Sequence, residues 1–219
     1  MRSPQPARLV EAYRSVFATL RNIRAYAGLG TYMVVTLLYM DAASIAIANM
    51  CIFAKSVFGM EDGQISNLIA FSLIFSVLAA FGAGRVSDKI GPKRTLLATM
   101  GVWVVGIMAL VFAWAPWVLF VAGALIFLAN GATLAVGTVL VIALSPREKL
   151  TEFMGLYVTV GMVSSVLGPV IVALLLGVFG GLGTGAYRIG MSSLAVAMVL
   201  GVILLLRVPD VRTSEEAST

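Results

Sequence analysis

Gly84-Arg85-Val86-Ser87-Asp88-Lys89-Ile90-Gly91-Pro92-Lys93-Arg94 sets five charges between two long apolar stretches that carry almost none. If those stretches cross a bilayer, the cluster must lie in water, because a charge at mid-membrane costs about 2.5–3.5 kcal/mol on insertion scales. The segment therefore reads as a charged turn that pins two helices at one face of a membrane. Its glycines permit close packing and a tight reversal.

The composition agrees. Sixty per cent of the 219 residues are hydrophobic and 11% are charged, against roughly a quarter charged in soluble domains. A soluble fold has no means of hiding that much apolar surface, so the class is an all-α polytopic membrane protein. There is no histidine, which removes histidine triads, the usual metal sites and the commonest general base. With no paired intramembrane carboxylates and no nucleophile–base pair, an enzyme is not expected. The single cysteine, Cys51, excludes an intrachain disulfide and reads as a buried, inert thiol. No phosphate-cradling loop and no dinucleotide fingerprint appears, and neither a metal nor a cofactor is expected.

Six segments reach the roughly 20 apolar residues that a crossing helix needs. Outward from the charged turn, the second span covers Gln64 to Gly84 and the first Leu29 to Ala54. After the turn, an uncharged run from Thr95 to Pro146 is too long for one crossing. It divides at Trp114-Ala115-Pro116-Trp117, where proline punctuates the helix and the tryptophans suit the headgroup level. The third span is then Leu96 to Ala113 and the fourth Trp117 to Leu144. The fifth is Phe153 to Phe179, and a glycine-rich turn over residues 180–185 leads to the sixth, Ile189 to Leu206. Ser145-Pro146-Arg147-Glu148 reads as a capping box that starts the fifth helix in water.

Of the 15 Lys and Arg residues, 13 fall on the side that holds both termini and the charged turn, leaving Lys55 and Arg188 opposite. This bias orients the termini to the cytoplasm, and a bacterial inner membrane is the expected location. The basic balance is thus topological, and nucleic acid is not an expected partner. Residues 1–28 precede the first span. Leu9, Tyr13, Val16, Phe17, Leu20 and Ile23 recur there at helical spacing, as in an amphipathic helix lying in the interface with membrane lipid. The spans occupy residues 29–207, and 208–219 form a polar cytoplasmic tail.

Asp41 is the only ionisable residue well inside a span. Its cost there calls for a partner, a water-filled cavity or a protonated state. Ser44 continues its helical face, Asn49 lies to one side, and Tyr39 offers a ring and a hydroxyl.

The charged turn, with Gly84, Asp88, Lys89, Gly91, Lys93 and Arg94, resembles the loop between the second and third helices of each half in the major facilitator superfamily of transporters. Val86 stands where leucine is commoner. Tyr39-Met40-Asp41-Ala42, Phe53-Ala54-Lys55, Pro146 to Lys149, Glu152 to Tyr157 and Gly168-Pro169 resemble the carboxy-terminal half of one branch, that of vacuolar amino-acid effluxers linked to autophagy and their bacterial relatives. Ala42, where relatives tend to have glycine, and an apolar fourth span depart from it.

The resemblance implies six transmembrane helices arranged as a 3+3 inverted repeat, which is half of the transporter fold. It implies a conformational latch formed by the charged turn. It implies a central cavity lined by the first and fourth helices, which places Asn130 and Thr133 opposite Asp41. It also implies a contact between halves along the second and fifth helices, where Gly161, Gly168 and Pro169 are small or bending residues.

Two functions stay open on these grounds. One is a half-size secondary transporter that moves a small solute by alternating access after pairing with a second six-helix half, a copy of itself or a separately encoded chain, with Asp41 as a proton-coupling group. The other is a non-transporting six-helix subunit docked on a larger membrane complex. The substrate is not read from the sequence.

Overall fold

A computed structural model describes residues 28–179 and 184–210, with side chains described over 28–164 and 194–210. The amphipathic segment expected before residue 28, most of the glycine-rich turn and the tail after 210 lie outside the described residues. The described chain is helical: α1 (Leu29–Phe58), α2 (Asp62–Ile90), α3 (Pro92–Val111), α4 (Pro116–Leu144), α5 (Leu150–Phe179) and α6 (Thr184–Leu206), with a 3-10 turn at Arg147–Lys149. Helices α1 to α4 are each long and apolar enough to cross a membrane. Between Phe153 and Phe179, α5 carries no charged residue.

The helices run past the apolar stretches that predict them, and this changes the charged turn most. Helix α2 continues to Ile90 and α3 begins at Pro92, so Gly91 alone breaks the backbone. Its φ of 93° and ψ of 152° lie where essentially only glycine is unstrained, and the following proline, at the first position of α3, itself disfavours a helical Gly91. Arg85, Asp88 and Lys89 thus project from the last turns of one helix, and Lys93 and Arg94 from the first turn of the next.

Two caps differ from expectation. The capping box at Ser145 does not form: its Oγ donates back to the Val141 carbonyl at 2.7 Å, closing α4 instead, and Arg147–Lys149 winds as a 3-10 turn with no side-chain cap. A capping box occurs instead at the start of α2, where Gln64 Oε1 accepts the Glu61 amide at 3.0 Å and the Glu61 side chain accepts a backbone amide in return. An ion pair between Lys55 and Asp62, 2.7 Å, spans the same short connection.

One hydrophobic core runs through the bundle, with α1 and α4 at its centre. Helix α1 packs chiefly on α6 and α5, and α4 chiefly on α2 and α3; α1 also meets α4, and α3 meets α6. Small residues set the closest crossings. Gly123 and Gly131 of α4 lie against Ser72 and Ser76 of α2, and Gly106 of α3 lies against Ile126 of α4.

Helix α2 is the outlier. Its buried residues are Leu68, Ser72 and Ser87, whereas Leu78 and Phe81 are 63% and 67% exposed. Gly82 and Gly84 face open space.

The charged end of the bundle is tied within the chain. Lys93 Nζ donates to the Leu206 carbonyl at 3.1 Å, where a cation suits the C-terminal pole of α6. Arg94 Nε meets Asp210 Oδ2 at 3.3 Å, and Gly28 packs on the Pro209 ring. The two tryptophans that divide α3 from α4 are exposed by 73% and 60% and stack edge to face with centroids 5.9 Å apart. Exposed indole rings at a helix junction suit the headgroup level.

Candidate functional site

Tyr32 and Tyr39 are seven residues apart on α1, which brings both rings to one side of the helix. That side meets α4 at Gly137. The Tyr32 hydroxyl donates to the Gly137 carbonyl at 2.9 Å. The Tyr39 and Tyr157 hydroxyls lie 3.0 Å apart and share a hydrogen bond that joins α1 to α5. A Cβ at Gly137 would lie 2.9 Å from the Tyr39 and Tyr157 oxygens and 3.3 Å from that of Tyr32. Three buried phenols therefore converge on the one place in α4 where a missing side chain leaves room for them.

A cavity of about 410 Å³ opens beside this cluster, within the roughly 300–1,000 Å³ of small-molecule sites. Helix α1 contributes Tyr39, Met40, Ala43, Ser44 and Ile47; α4 contributes Asn130, Thr133 and Leu134; α5 contributes Tyr157, Val158, Gly161 and Met162. It sits at mid-depth, since Asn130 is the central residue of α4 (Pro116–Leu144). Its shape is graded. Tyr39, Thr133 and Tyr157, all buried, form the floor, while Leu134, Val158 and Met162, exposed by 54%, 50% and 67%, form the rim.

The polar groups are committed to different degrees. Thr133 Oγ1 donates to the Ala129 carbonyl at 2.7 Å and accepts the Trp103 indole N–H at 3.1 Å. Ser44 Oγ gives its proton to the Met40 carbonyl, 2.9 Å, and keeps its lone pairs. The Asn130 amide makes no hydrogen bond among the described residues. No charged side chain lines the cavity among the described residues.

Four residues nominated from sequence meet at this cavity: Tyr39, Ser44, Asn130 and Thr133. Asp41, half-buried, follows Met40 around the helix by about 100° and is not in the lining. Asn49 is buried elsewhere and donates to the Ile45 carbonyl at 3.0 Å. Gly161 lies against the Met40 sulfur, at 2.8 Å from a built Cβ, and so faces this cavity. Helix α5 runs through Gly168 and Pro169, whose side-chain surroundings lie outside the described residues. Of the charged turn, Asp88 and Lys89 are exposed, and Lys93 and Arg94 are engaged by the end of α6 and Asp210. Sequence reasoning missed Tyr32, Gly137 and Trp103, and it placed Tyr157 only in a family motif, not at the site. The seven-residue interval from Tyr32 to Tyr39 was a usable signal for the first; nothing local to Gly137 marks it as the meeting point of three side chains.

Comparison with known proteins places this architecture. The sequence profile of the Major Facilitator Superfamily matches residues 31–219. An uncharacterized MFS-type transporter of Bacillus subtilis (strain 168), YxiO, is 23% identical over 216 residues, covering 98% of this chain and 48% of its own length. A solved structure, that of a bacterial homologue of the human drug peptide transporters PepT1 and PepT2, superposes with a TM-score of 0.72 at 19% identity, covering 81% of this chain and 40% of that one. The chain thus spans about half the length of the curated relative it matches. With the family profile matched over most of the sequence and a bundle of the same fold, the chain belongs to the Major Facilitator Superfamily of transporters.

Proposed function

We propose that the chain is one half of a secondary transporter, which binds a small solute between itself and a second six-helix half and moves it by rocking of the two halves. The observation that carries this reading is the mid-depth cavity on α1, α4 and α5, whose apolar rim is left exposed among the described residues. A solute site shared by two halves needs an open wall of this kind. The uncovered apolar face of α2 supports the same reading, because it offers a second half a surface next to small residues that allow close, sliding contact.

The arrangement is a 3+3 inverted repeat in this proposal, with α1, α2 and α3 matched to α4, α5 and α6. The helix pairing supports it: α1 with α5 mirrors α4 with α2, and α1 with α6 mirrors α4 with α3. Both termini and the charged end face the cytoplasm, and the protein resides in a bacterial inner membrane. Its branch is that of the vacuolar amino-acid effluxers and their bacterial relatives, on the motifs around Tyr39 to Ala42 and Glu152 to Tyr157. Asp88 then lies near the amino end of the second half's fifth helix, whose dipole favours an anion.

Two differently tagged copies test the pairing, one carrying Asp88→Cys and the other Glu148→Cys, both in a Cys51→Ser background. A disulfide-linked heterodimer in native membranes is the expected product. Its absence, together with a native particle much larger than two copies, would instead favour the non-transporting subunit of a larger complex.

Proton coupling through Asp41 has a separate expected outcome. Asp41→Asn should abolish flux driven by a pH gradient while sparing solute counterflow, since exchange needs no net proton movement. Unchanged gradient-driven flux would remove Asp41 from the coupling role.

A further inference from the structure

The lining of the cavity narrows its ligand, and this step rests on the transporter reading above. We infer that the site takes an uncharged solute with a hydrogen-bonding head and an apolar body, rather than an ion or a zwitterion.

The polar groups that face the cavity are all neutral: two phenols, two aliphatic hydroxyls and one amide. Sequence extends this beyond the lining, because no Asp, Glu, Lys or Arg occurs from Thr95 to Pro146 or from Phe153 to Phe179, which covers all of α4 and nearly all of α5. The one intramembrane carboxylate, Asp41, is on α1 but outside the lining. A charged group brought to the floor would lose its water and gain no opposite charge from these residues, which is strongly unfavourable.

Hydrogen-bonding capacity specifies the head. Asn130 offers both an N–H₂ and a carbonyl with no partner among the described residues. The Tyr39 and Tyr157 hydroxyls are satisfied within the buried cluster, by each other and by Tyr32 and Thr138, so they add polarity to the floor rather than a free donor. Ser44 retains acceptor lone pairs after donating to Met40. A ligand matching this set carries a donor and an acceptor side by side, as an amide or a vicinal hydroxyl pair does. Its body must be apolar, since Leu134, Val158 and Met162 are what it passes and rests on at the rim.

Four compounds with one isobutyl side chain separate the possibilities: N-acetyl-leucinamide (neutral), N-acetyl-leucine (anion), leucinamide (cation) and leucine (zwitterion). The probe is radiolabelled N-acetyl-leucinamide, bound to the purified full chain in lipid nanodiscs, with empty nanodiscs correcting for partition into lipid. Saturable binding at millimolar concentration is expected, with each charged relative competing about tenfold more weakly or worse. Asn130→Leu should weaken the neutral probe by about tenfold. Asn130→Asp, nearly the same shape, should shift preference toward leucinamide.

Leucine or either ion competing as well as the neutral compound would overturn the neutral class while leaving a solute site in place. No saturable binding of any of the four would overturn the inference outright. The paired-cysteine experiment judges the transporter-half reading independently, so the two failures are distinguishable.

Discussion

Gly131→Leu is expected to detach α2 from the bundle and to leave little folded protein in the membrane. A Cβ at this position would overlap the backbone carbonyl of Ser76 and crowd the Ser76 hydroxyl. The obstacle is main chain in the middle of α2, so relief requires moving a whole helix. Even modest overpacking costs about 1–3 kcal/mol, a large share of the roughly 5–15 kcal/mol of net stability of a folded protein. Helix α2 has little else to hold it, because α4 is its principal neighbour and only Leu68, Ser72 and Ser87 are buried.

Size-exclusion profiles and thermal midpoints in detergent report the result. Gly131→Ala should lower the midpoint, and Gly131→Leu should remove the monodisperse peak. Gly82→Ala, on the open face of α2, should change neither within the half itself. A Gly131→Leu protein that elutes and melts like the parent would show that α2 and α4 are not packed this closely.

Gly137→Val is expected to spare the fold and remove the proposed solute site. Here the crowded atoms are three phenolic oxygens at the ends of long side chains, 2.9 to 3.3 Å from a built Cβ. They can swing aside where a helix backbone cannot. In doing so they lose the hydrogen bond of Tyr32 to the Gly137 carbonyl and the Tyr39–Tyr157 link between α1 and α5. Binding of N-acetyl-leucinamide should fall by more than about tenfold, whereas Tyr39→Phe alone should cost about threefold, the worth of an average hydrogen bond between membrane helices. Equal affinity in Gly137→Val and parent, with an unchanged thermal midpoint, would mean that the phenol cluster does not form the floor.

These two glycines illustrate how far the sequence could be read. The helices were legible because a bilayer imposes a strong, local rule: each crossing needs a long apolar run, and the charges between runs must reach water. Leu29, Pro116 and the apolar stretch from Phe153 could be placed with no knowledge of neighbours. Family membership was legible from Gly84 to Arg94 because that motif is contiguous. The turn's true form was less so. Its charges suggested a turn lying outside both helices, from Gly84 to Arg94, but helical hydrogen bonding continues through Arg85, Asp88 and Lys89, and only Gly91 departs from it.

The site was legible in part for the same physical reason. Tyr39, Ser44, Asn130 and Thr133 are polar residues in apolar spans, so their cost alone marks them. Burial of Asn49 against its own helix and the position of Asp41 outside the cavity lining carry no such mark. Each depends on the rotation of α1 about its axis, which is set by packing against α4, α5 and α6.

By itself, then, the amino-acid sequence determined that the protein is a helical membrane protein, where its long helices lie and which transporter family its charged turn resembles. Those are consequences of one-dimensional quantities: apolar length, charge placement and a contiguous motif. Only the tertiary structure decided that Gly137 gathers the hydroxyls of Tyr32, Tyr39 and Tyr157, that Gly131 admits α2, and that the charged turn is tied to the end of α6. Such contacts join residues of different helices, as far as 118 positions apart in the Tyr39–Tyr157 pair, and their formation depends on ångström-scale approaches that no local pattern encodes.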